Sequence, residues 1–387
     1  MPDEPENRTH RLATLRDRLS PDMDRRTFLR TVANAGYGLG IASLLGVEDF
    51  LAVGDGEVPV VTALAREDPD DPWSTRERTK SVPAEWYARV SKAFELHNHL
   101  AETSITGYLG SAVKPGTYDR GTASISIEAS ASEIGRIEDL LHILVDGVSF
   151  DIEAIDDLDE LDGEMFEGEP RLATDIDDGV PGGVRCQTEN GFATLAPALY
   201  HPNERRAFFA TAEHAYSSDD PVGAPLSLPH EEGETMDLGT VRYAHPVEDI
   251  VAIEPTGELQ PASRIDGAST QVLGQFTRIG LADLAARGEH LEKMGAETGY
   301  SSGKIEGIDA VTCFTSDVCR TGQLRWGEER DLTDGDSGSV TYHRDPENPN
   351  DGVLVAGFNN ARTWWPGQSY VWGVSAYRLT NEYGYHF

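Results

Sequence analysis

Asp334-Gly335-Asp336-Ser337-Gly338-Ser339 is the stretch that decides how the rest of the chain is read. A serine hydroxyl is a weak nucleophile near neutral pH. It needs a base to take its proton, and it needs donors for the oxyanion that forms when it attacks a carbonyl. Glycines on either side of a serine let the backbone turn so that two N–H groups aim at one point. Ser337 is therefore the candidate nucleophile, and the N–H groups of Gly335 and Ser337 are the candidate oxyanion donors.

Two segments further toward the N-terminus complete a possible set. Phe208-Phe209-Ala210-Thr211-Ala212-Glu213-His214 is an apolar strand that ends by presenting a histidine. An imidazole titrates near neutrality, which suits the role of base. Glu248-Asp249-Ile250-Val251-Ala252-Ile253 opens an apolar strand with an acid. A carboxylate there can be buried against the imidazole N–H, where it holds the tautomer and stabilises the imidazolium. Asp237 and Asp266 stand nearby and compete for that role.

From Val180 to the end, short β-rich segments alternate with Gly, Pro, Asn and Asp turns, the texture of an all-β sandwich or barrel. The length suits two small barrels in residues 180–387. Residues 156–179 are a run of Asp, Glu and Gly, read as an acidic linker and cleavage region. Residues 86–155 read as a small α+β unit. Thr122 to Ser130 alternates as a strand, with Ile125 and Ile127 on one face. Ser130 and Glu133 have the spacing of a capping box. Ile134, Ile137, Leu141 and Leu144 recur at helical spacing, and Val148, Phe150, Ile152 and Ala154 alternate again. Its placement suggests a pro-domain, with an independent binding module as the other reading. Residues 56–85, rich in Pro, Asp and Arg, read as a linker.

Residues 1–55 are an N-terminal extension. Within it, Asp24-Arg25-Arg26-Thr27-Phe28-Leu29 precedes a mildly apolar run. This resembles a twin-arginine export signal. The run is too short, and too interrupted by Gly and Asn, for a stable membrane span. The expected location is extracellular or at the cell surface, reached by a twin-arginine-type route.

The composition narrows the partners. The 387 residues carry a formal net charge of −35, which repels phosphate backbones and speaks against nucleic acid. Such an acidic, hydrated surface suits concentrated salt. Cys313 and Cys319 can pair across a short loop, which would leave Cys186 free. His97 and His99 form a possible metal pair, but no further ligand pattern stands near them. No metal or organic cofactor is expected.

The order His214, Asp249, Ser337, with these flanking residues, resembles chymotrypsin-like serine proteases, whose motifs are Thr-Ala-x-His, Asp-Ile and Gly-Asp-Ser-Gly. Leu291-Glu292-Lys293-Met294-Gly295-Ala296-Glu297-Thr298-Gly299, continuing to Ser302-Gly303, is similar to a hairpin of the streptogrisin and α-lytic branch. Pro181-Gly182-Gly183 resembles the start of the mature enzymes in that branch. The resemblance covers about residues 180–387. It implies an all-β double six-stranded barrel preceded by a small α+β pro-domain, and a serine endopeptidase made as an exported precursor, a zymogen. Its substrate would be a protein or peptide. The alternatives are a catalytically inactive protease-like binding module at the cell surface and an esterase with the same triad. In this branch a cysteine follows the catalytic histidine; here Ala215 stands there, Glu213 precedes the histidine, and Ser339 stands where glycine is common. For the substrate pocket, the resemblance points to Asp331, shortly before Ser337. Phe358, Asn359 and Asn360 follow the strand Val353–Ala356, a candidate for pairing with an extended peptide.

Overall fold

The computed structural model describes residues 56–387 apart from 103–106, 120–121, 136, 139–147, 156–168, 190, 219, 230–234, 269, 314–318, 351 and 366–367. The twin-arginine segment and most of the acidic run therefore lie outside the described residues. No helix among those described is long and apolar enough to cross a membrane.

The stretch expected to be a linker is a β-hairpin. Strand β1 (Glu57–Arg66) buries Val58 and Val60 in alternation and pairs antiparallel with β2 (Thr75–Pro83). The Asp and Pro residues that suggested a linker form the connection. Asp68 Oδ1 accepts the Asp70 N–H and Asp71 Oδ1 accepts the Trp73 N–H, the side-chain-to-backbone bonds that fold a turn. Helix α1 (Ala84–Glu102) follows and buries Trp86, Val90 and Phe94. Next come β3 (Tyr108–Lys114), β4 (Ser124–Ser130) and β5 (Ser149–Ile155). β3 and β4 pair antiparallel, and β4 and β5 pair parallel, so the expected strand–helix–strand order holds at both strands. Of the expected helix, Ile137 is described and buried; Leu141 and Leu144 lie outside the described residues.

The first barrel is built from β7 (Arg185–Gln187), β8 (Phe192–Thr194), β9 (Leu199–His201), β10 (Arg206–Ala212), β11 (Pro225–Pro229), β12 (Thr235–His245) and β13 (Ile250–Pro255), after a short β6 (Val180–Gly182). These pair in the order β8-β7-β11-β12-β13-β10-β9. Just past β8, the Ala196 N–H donates to Ala210 O at 2.9 Å, which curls the sheet back onto β10.

The second barrel follows β14 (Pro261–Ile265), β15 (Gln271–Phe276) and helix α2 (Arg278–Arg287). Its strands are β16 (His290–Gly295), β17 (Gly299–Thr312), β18 (Arg320–Trp326), β19 (Val340–Arg344), β20 (Gly352–Trp365) and β21 (Gln368–Ser375). They pair in a closed ring, β16-β17-β18-β21-β20-β19 and back to β16, with every rung antiparallel. A closed ring leaves no edge, which a six-stranded antiparallel sheet of this length achieves by twist and tilt. Helix α3 (Ala376–Tyr383) follows β21. The fold is chymotrypsin-like and all-β, with an α+β unit before it.

That unit is built into the second barrel on two sides. β1 pairs with β15, and β3 pairs with the long strand β17. One apolar core runs through Val58, Trp86, Phe94 and Ile125 of the unit, Leu281 of α2, and Leu324, Trp326 and Val371 of the barrel. The Arg325 guanidinium, on β18, grips both oxygens of Glu128, on β4, with Nη2 to Oε2 at 2.9 Å. The two side chains are 3% and 0% exposed. Arg325 also lies over the Trp372 ring, 4.1 Å from its centre. Residues 57–155 therefore share sheet, core and buried charge with the barrel and do not form an independent module.

Cys313 and Cys319 are disulfide-bonded, and Cys186 is free and buried. His97 is buried on α1. No cluster fit to hold a metal ion is present among the described residues.

A buried charge left without its partner is costly, whereas an exposed pair contributes little. Glu128→Gln should lower the stability of the full chain by about 3 kcal/mol, read as a fall in denaturation midpoint. Glu67→Gln, which breaks the exposed pair with Arg76, should move it by less than about 1 kcal/mol.

Candidate active site

The ladder between β10 and β13 ends at the rung Ala212↔Ile250. His214 lies two residues beyond Ala212, in the 3₁₀ turn Glu213–Ala215, and Asp249 lies one residue before Ile250. The two side chains thus hang from the same end of one strand pair. Asp249 Oδ2 is 2.7 Å from His214 Nδ1, and Oδ1 accepts the His214 backbone N–H at 2.9 Å. Both carboxylate oxygens hold the same residue, which fixes the imidazole in position and tautomer. Asp249 has a positive φ of 57°, a strained backbone that aspartate tolerates better than most side chains.

Asp249 is 3% exposed and His214 is 46% exposed. Burial disfavours the imidazolium of His214, but the hydrogen bond and charge of Asp249 outweigh it and the net shift is upward. For Asp249, burial pushes the carboxyl up, yet the His214 bond and the His214 and Arg320 charges leave it below the ordinary carboxylate range. The rival acids are engaged elsewhere. Asp237 accepts from Gly239 N and Thr256 Oγ1, and Asp266 pairs with Arg171.

Ser337 belongs to the second barrel, on the turn that leads into β19. Contacts on each side tie it to the first barrel and to the backbone of Asp249. Its carbonyl accepts the Thr194 N–H at 2.9 Å, from β8 of the first barrel. Its Oγ donates to Asn360 O at 3.3 Å. The Asn360 amide in turn donates to Asp249 O at 2.8 Å, so one residue of β20 joins the nucleophile's hydroxyl to the acid's backbone. Gly338 has a φ of 94°, and a Cβ there would lie 2.2 Å from Thr194 O and 3.1 Å from Ala212 N. Only glycine lets this turn press against the strand that carries the histidine. No hydrogen bond joins Ser337 Oγ to His214 among the described residues; the hydroxyl rests on Asn360 O. Catalytic hydrogen bonds are often unformed before substrate binds. Beneath the three residues one apolar core spans the seam, with Ala212 and Ile250 from one barrel and Val340, Phe358 and Val374 from the other.

Among the described residues, the N–H groups of Gly335 and Ser337 have no protein acceptor. The turn that carries them is held from below by Asp336. Its carboxylate accepts from Lys293 Nζ at 2.9 Å, Thr298 Oγ1 at 2.5 Å, Glu297 N at 2.9 Å, Thr298 N at 3.2 Å and Thr333 N at 3.3 Å. Lys293 and Asp336 are both 0% exposed. Burial pulls the Lys293 ammonium below its usual range, and Asp336 opposes that. A Cβ on Gly295 would sit 2.1 Å from Asp336 Oδ1, so the hairpin must carry glycine there. Thr194 Oγ1 donates to Gly335 O at 2.7 Å and fixes that peptide from the other barrel.

Of the residues expected to form the substrate pocket, Phe358, Asn359 and Asn360 are buried and Asp331 is half-buried. Asp331 closes a 3₁₀ turn, its Oδ2 accepting the Glu328 N–H at 2.7 Å. Phe358 is in the seam core, and Asn359 bridges Trp326 Nε1 at 3.0 Å and Ser339 Oγ at 3.1 Å. Asn360 is 4% exposed and makes the link to Asp249. Sequence reasoning assigned no role to Thr194, Lys293 or Arg320. The place of Lys293 in the hairpin Leu291–Gly299, which the sequence singled out by resemblance, was the one visible signal.

No protein-family model and no curated protein matches the sequence. Among solved structures, Thermobifida fusca protease A aligns at 20% identity over 53% of this chain and 96% of that one, with a TM-score of 0.38. The MamO protease domain of Magnetospirillum magneticum, in its apo form, aligns at 15% identity over 49% and 86%, with a TM-score of 0.31.

Lys293→Met removes the charge but keeps most of the volume, and strands Asp336 in a dry site. It should destabilise the chain by about 3–5 kcal/mol, read from the denaturation midpoint. Reaction of Ser337 with an active-site phosphonate should slow by tenfold or more at temperatures where the variant stays folded.

Proposed function

We propose that this chain is a serine endopeptidase that cleaves peptide bonds in proteins or peptides by a Ser337-His214-Asp249 triad. The observation that carries this reading is the meeting of separate elements at the seam of two barrels. His214 and Asp249 share the end of one ladder, and Ser337 is tied to that same end through Thr194 and Asn360. The half-exposed imidazole and the two unengaged N–H groups face the chemistry this requires.

In the proposed reaction, Ser337 Oγ turns from Asn360 O to His214 Nε2 and attacks the peptide carbonyl. His214 takes the proton and later gives it to the leaving amine. Asp249 keeps Nδ1 protonated and stabilises the imidazolium, and the N–H groups of Gly335 and Ser337 bind the oxyanion. Water then repeats the sequence on the acyl-enzyme. Each oxyanion donor contributes about 3 kcal/mol in comparable sites. No cofactor enters these steps.

The similarity of Lys293–Thr298 and their flanks to the streptogrisin and α-lytic branch supports a relation to that group. The Arg25-Arg26 segment supports export by a twin-arginine route to the medium or cell surface. The acidic run 156–179 is the proposed first substrate, cut by the enzyme itself. The sheet and core shared by residues 57–155 and the barrel would then keep the two pieces together after cleavage.

A fluorophosphonate probe in high salt should label wild-type chain and leave Ser337→Ala unlabelled; mass spectrometry should place the adduct on Ser337. An unlabelled wild type would favour the inactive binding module. Turnover of simple esters without turnover of peptide amides would favour the esterase. Asp249→Asn should keep the fold while lowering kcat by about 10⁴.

Catalysis requires the neutral imidazole, so kcat/KM should fall as pH drops through the His214 pKa. Asp249 holds that pKa above the ordinary histidine value. The acid limb of the kcat/KM profile should therefore lie at higher pH than a free imidazole would give. An acid limb below that value would contradict the assignment.

A further inference from the structure

Arg320 opens β18 immediately after Cys319, and its Nη1 lies 3.3 Å from Asp249 Oδ2. That is the same oxygen that faces His214 Nδ1 at 2.7 Å. Two cation-forming groups from two barrels thus converge on one carboxylate oxygen. Asp249 is 3% exposed and Arg320 is 40% exposed, so the arginine reaches in from the surface while the acid stays dry.

The guanidinium is anchored at its base. Thr312↔Arg320 is the last rung of the β17–β18 hairpin, and the Cys313–Cys319 disulfide crosses the hairpin just beyond it. The Cys313 N–H donates to Leu109 O at 2.8 Å, so β3 of the N-terminal unit also holds this corner.

We infer that Arg320, set in place by the Cys313–Cys319 staple, is a positioning residue of the proposed triad that gives Asp249 a permanent countercharge while His214 is neutral. The inference rests on the endopeptidase reading above. The need for such a group follows from the cycle. When His214 is an imidazolium it balances Asp249. When it is neutral, a buried carboxylate remains with hydrogen bonds but no cation, an expensive state. Arginine stays charged at all working pH values. The price of this support is competition: a fixed positive charge near the imidazole opposes its protonation.

The charged groups that face His214 are Asp249 from the opening of β13, Arg320 from β18 and Glu213 from its own turn. Asp249 and Glu213 raise its affinity for a proton, and Arg320 lowers it. The consequence is directional. Arg320 keeps the base neutral to lower pH than Asp249 alone would allow, which extends activity toward acid.

The test is a titration of the His214 ring, followed by ¹⁵N NMR on full-length chain with labelled histidine at fixed high salt, with His214→Gln to assign the signal. In Arg320→Gln the ring should bind its proton roughly threefold more tightly, and the acid limb of kcat/KM should move to higher pH by the same factor. Arg320→Lys should restore most of the wild-type titration, because charge and not shape is required. Cys313→Ser combined with Cys319→Ser should shift the ring in the same direction as Arg320→Gln, but less. A ring that titrates identically in wild type and in folded Arg320→Gln overturns the inference, as does a lysine variant that behaves like glutamine. A double serine variant with wild-type titration overturns the part given to the staple. The ring is read without turnover, so a wild type that fails to label at Ser337 would sink the endopeptidase reading separately.

Discussion

The ion pair between Lys293 and Asp336 is the constraint on which the rest of the site depends. Both side chains are fully buried, directly behind the serine turn. A carboxylate in such a place must be saturated with donors, and the five it receives come from β16, from the hairpin bend at Glu297–Thr298 and from Thr333. Because Asp336 is fixed, Gly335 and Ser337 on either side of it are fixed as well. Among the described residues their N–H groups have no protein acceptor, which leaves them for the oxyanion of the proposed reaction. Broken on one side only, such a pair leaves a bare charge. The site's geometry is therefore tied to the integrity of the second barrel.

The first barrel contributes the complementary constraint. Antiparallel pairing of β10 and β13 sets His214 and Asp249 at one end of a ladder, and no other register would bring them together. Thr194 reaches across the seam twice, through its N–H to Ser337 O and through its hydroxyl to Gly335 O. Asn360 reaches back the other way, to Asp249 O. These cross-links, over an apolar core shared by both barrels, tie the two sheets together at the seam. The N-terminal unit adds a third layer, since β3 lies along β17 up to the disulfide corner that carries Arg320.

Much of this was legible in the chain. Glycine-flanked Ser337, and His214 and Asp249 at the ends of apolar strands, are local signals, because each needs only its neighbours to be recognised. The β texture after Val180 likewise follows from alternation and turn residues. What was not legible depends on distance in space. Residues 56–85 looked like a linker because Asp68, Pro69, Asp71 and Pro72 dominate the composition. Yet those residues form the turn, and the alternation of Val58 and Val60 was the better guide. The burial of Phe358 and Asn359 could not be read from sequence, since their partners Val340, Trp326 and Ser339 come from other strands. Arg320 gave no signal at all. Only the pairing of β17 with β18, and the seam beyond it, places a surface arginine beside the acid of the other barrel.

The central claim is that Ser337, His214 and the Gly335 and Ser337 amides act on one carbonyl. The most direct measurement is an experimental structure of the full chain after reaction with a peptidyl phosphonate. The account predicts phosphorus bonded to Ser337 Oγ, one phosphoryl oxygen within hydrogen-bond distance of both amides, and His214 Nε2 within reach of the adduct. An adduct on another side chain, or a phosphoryl oxygen turned away from both amides with His214 remote, would contradict it.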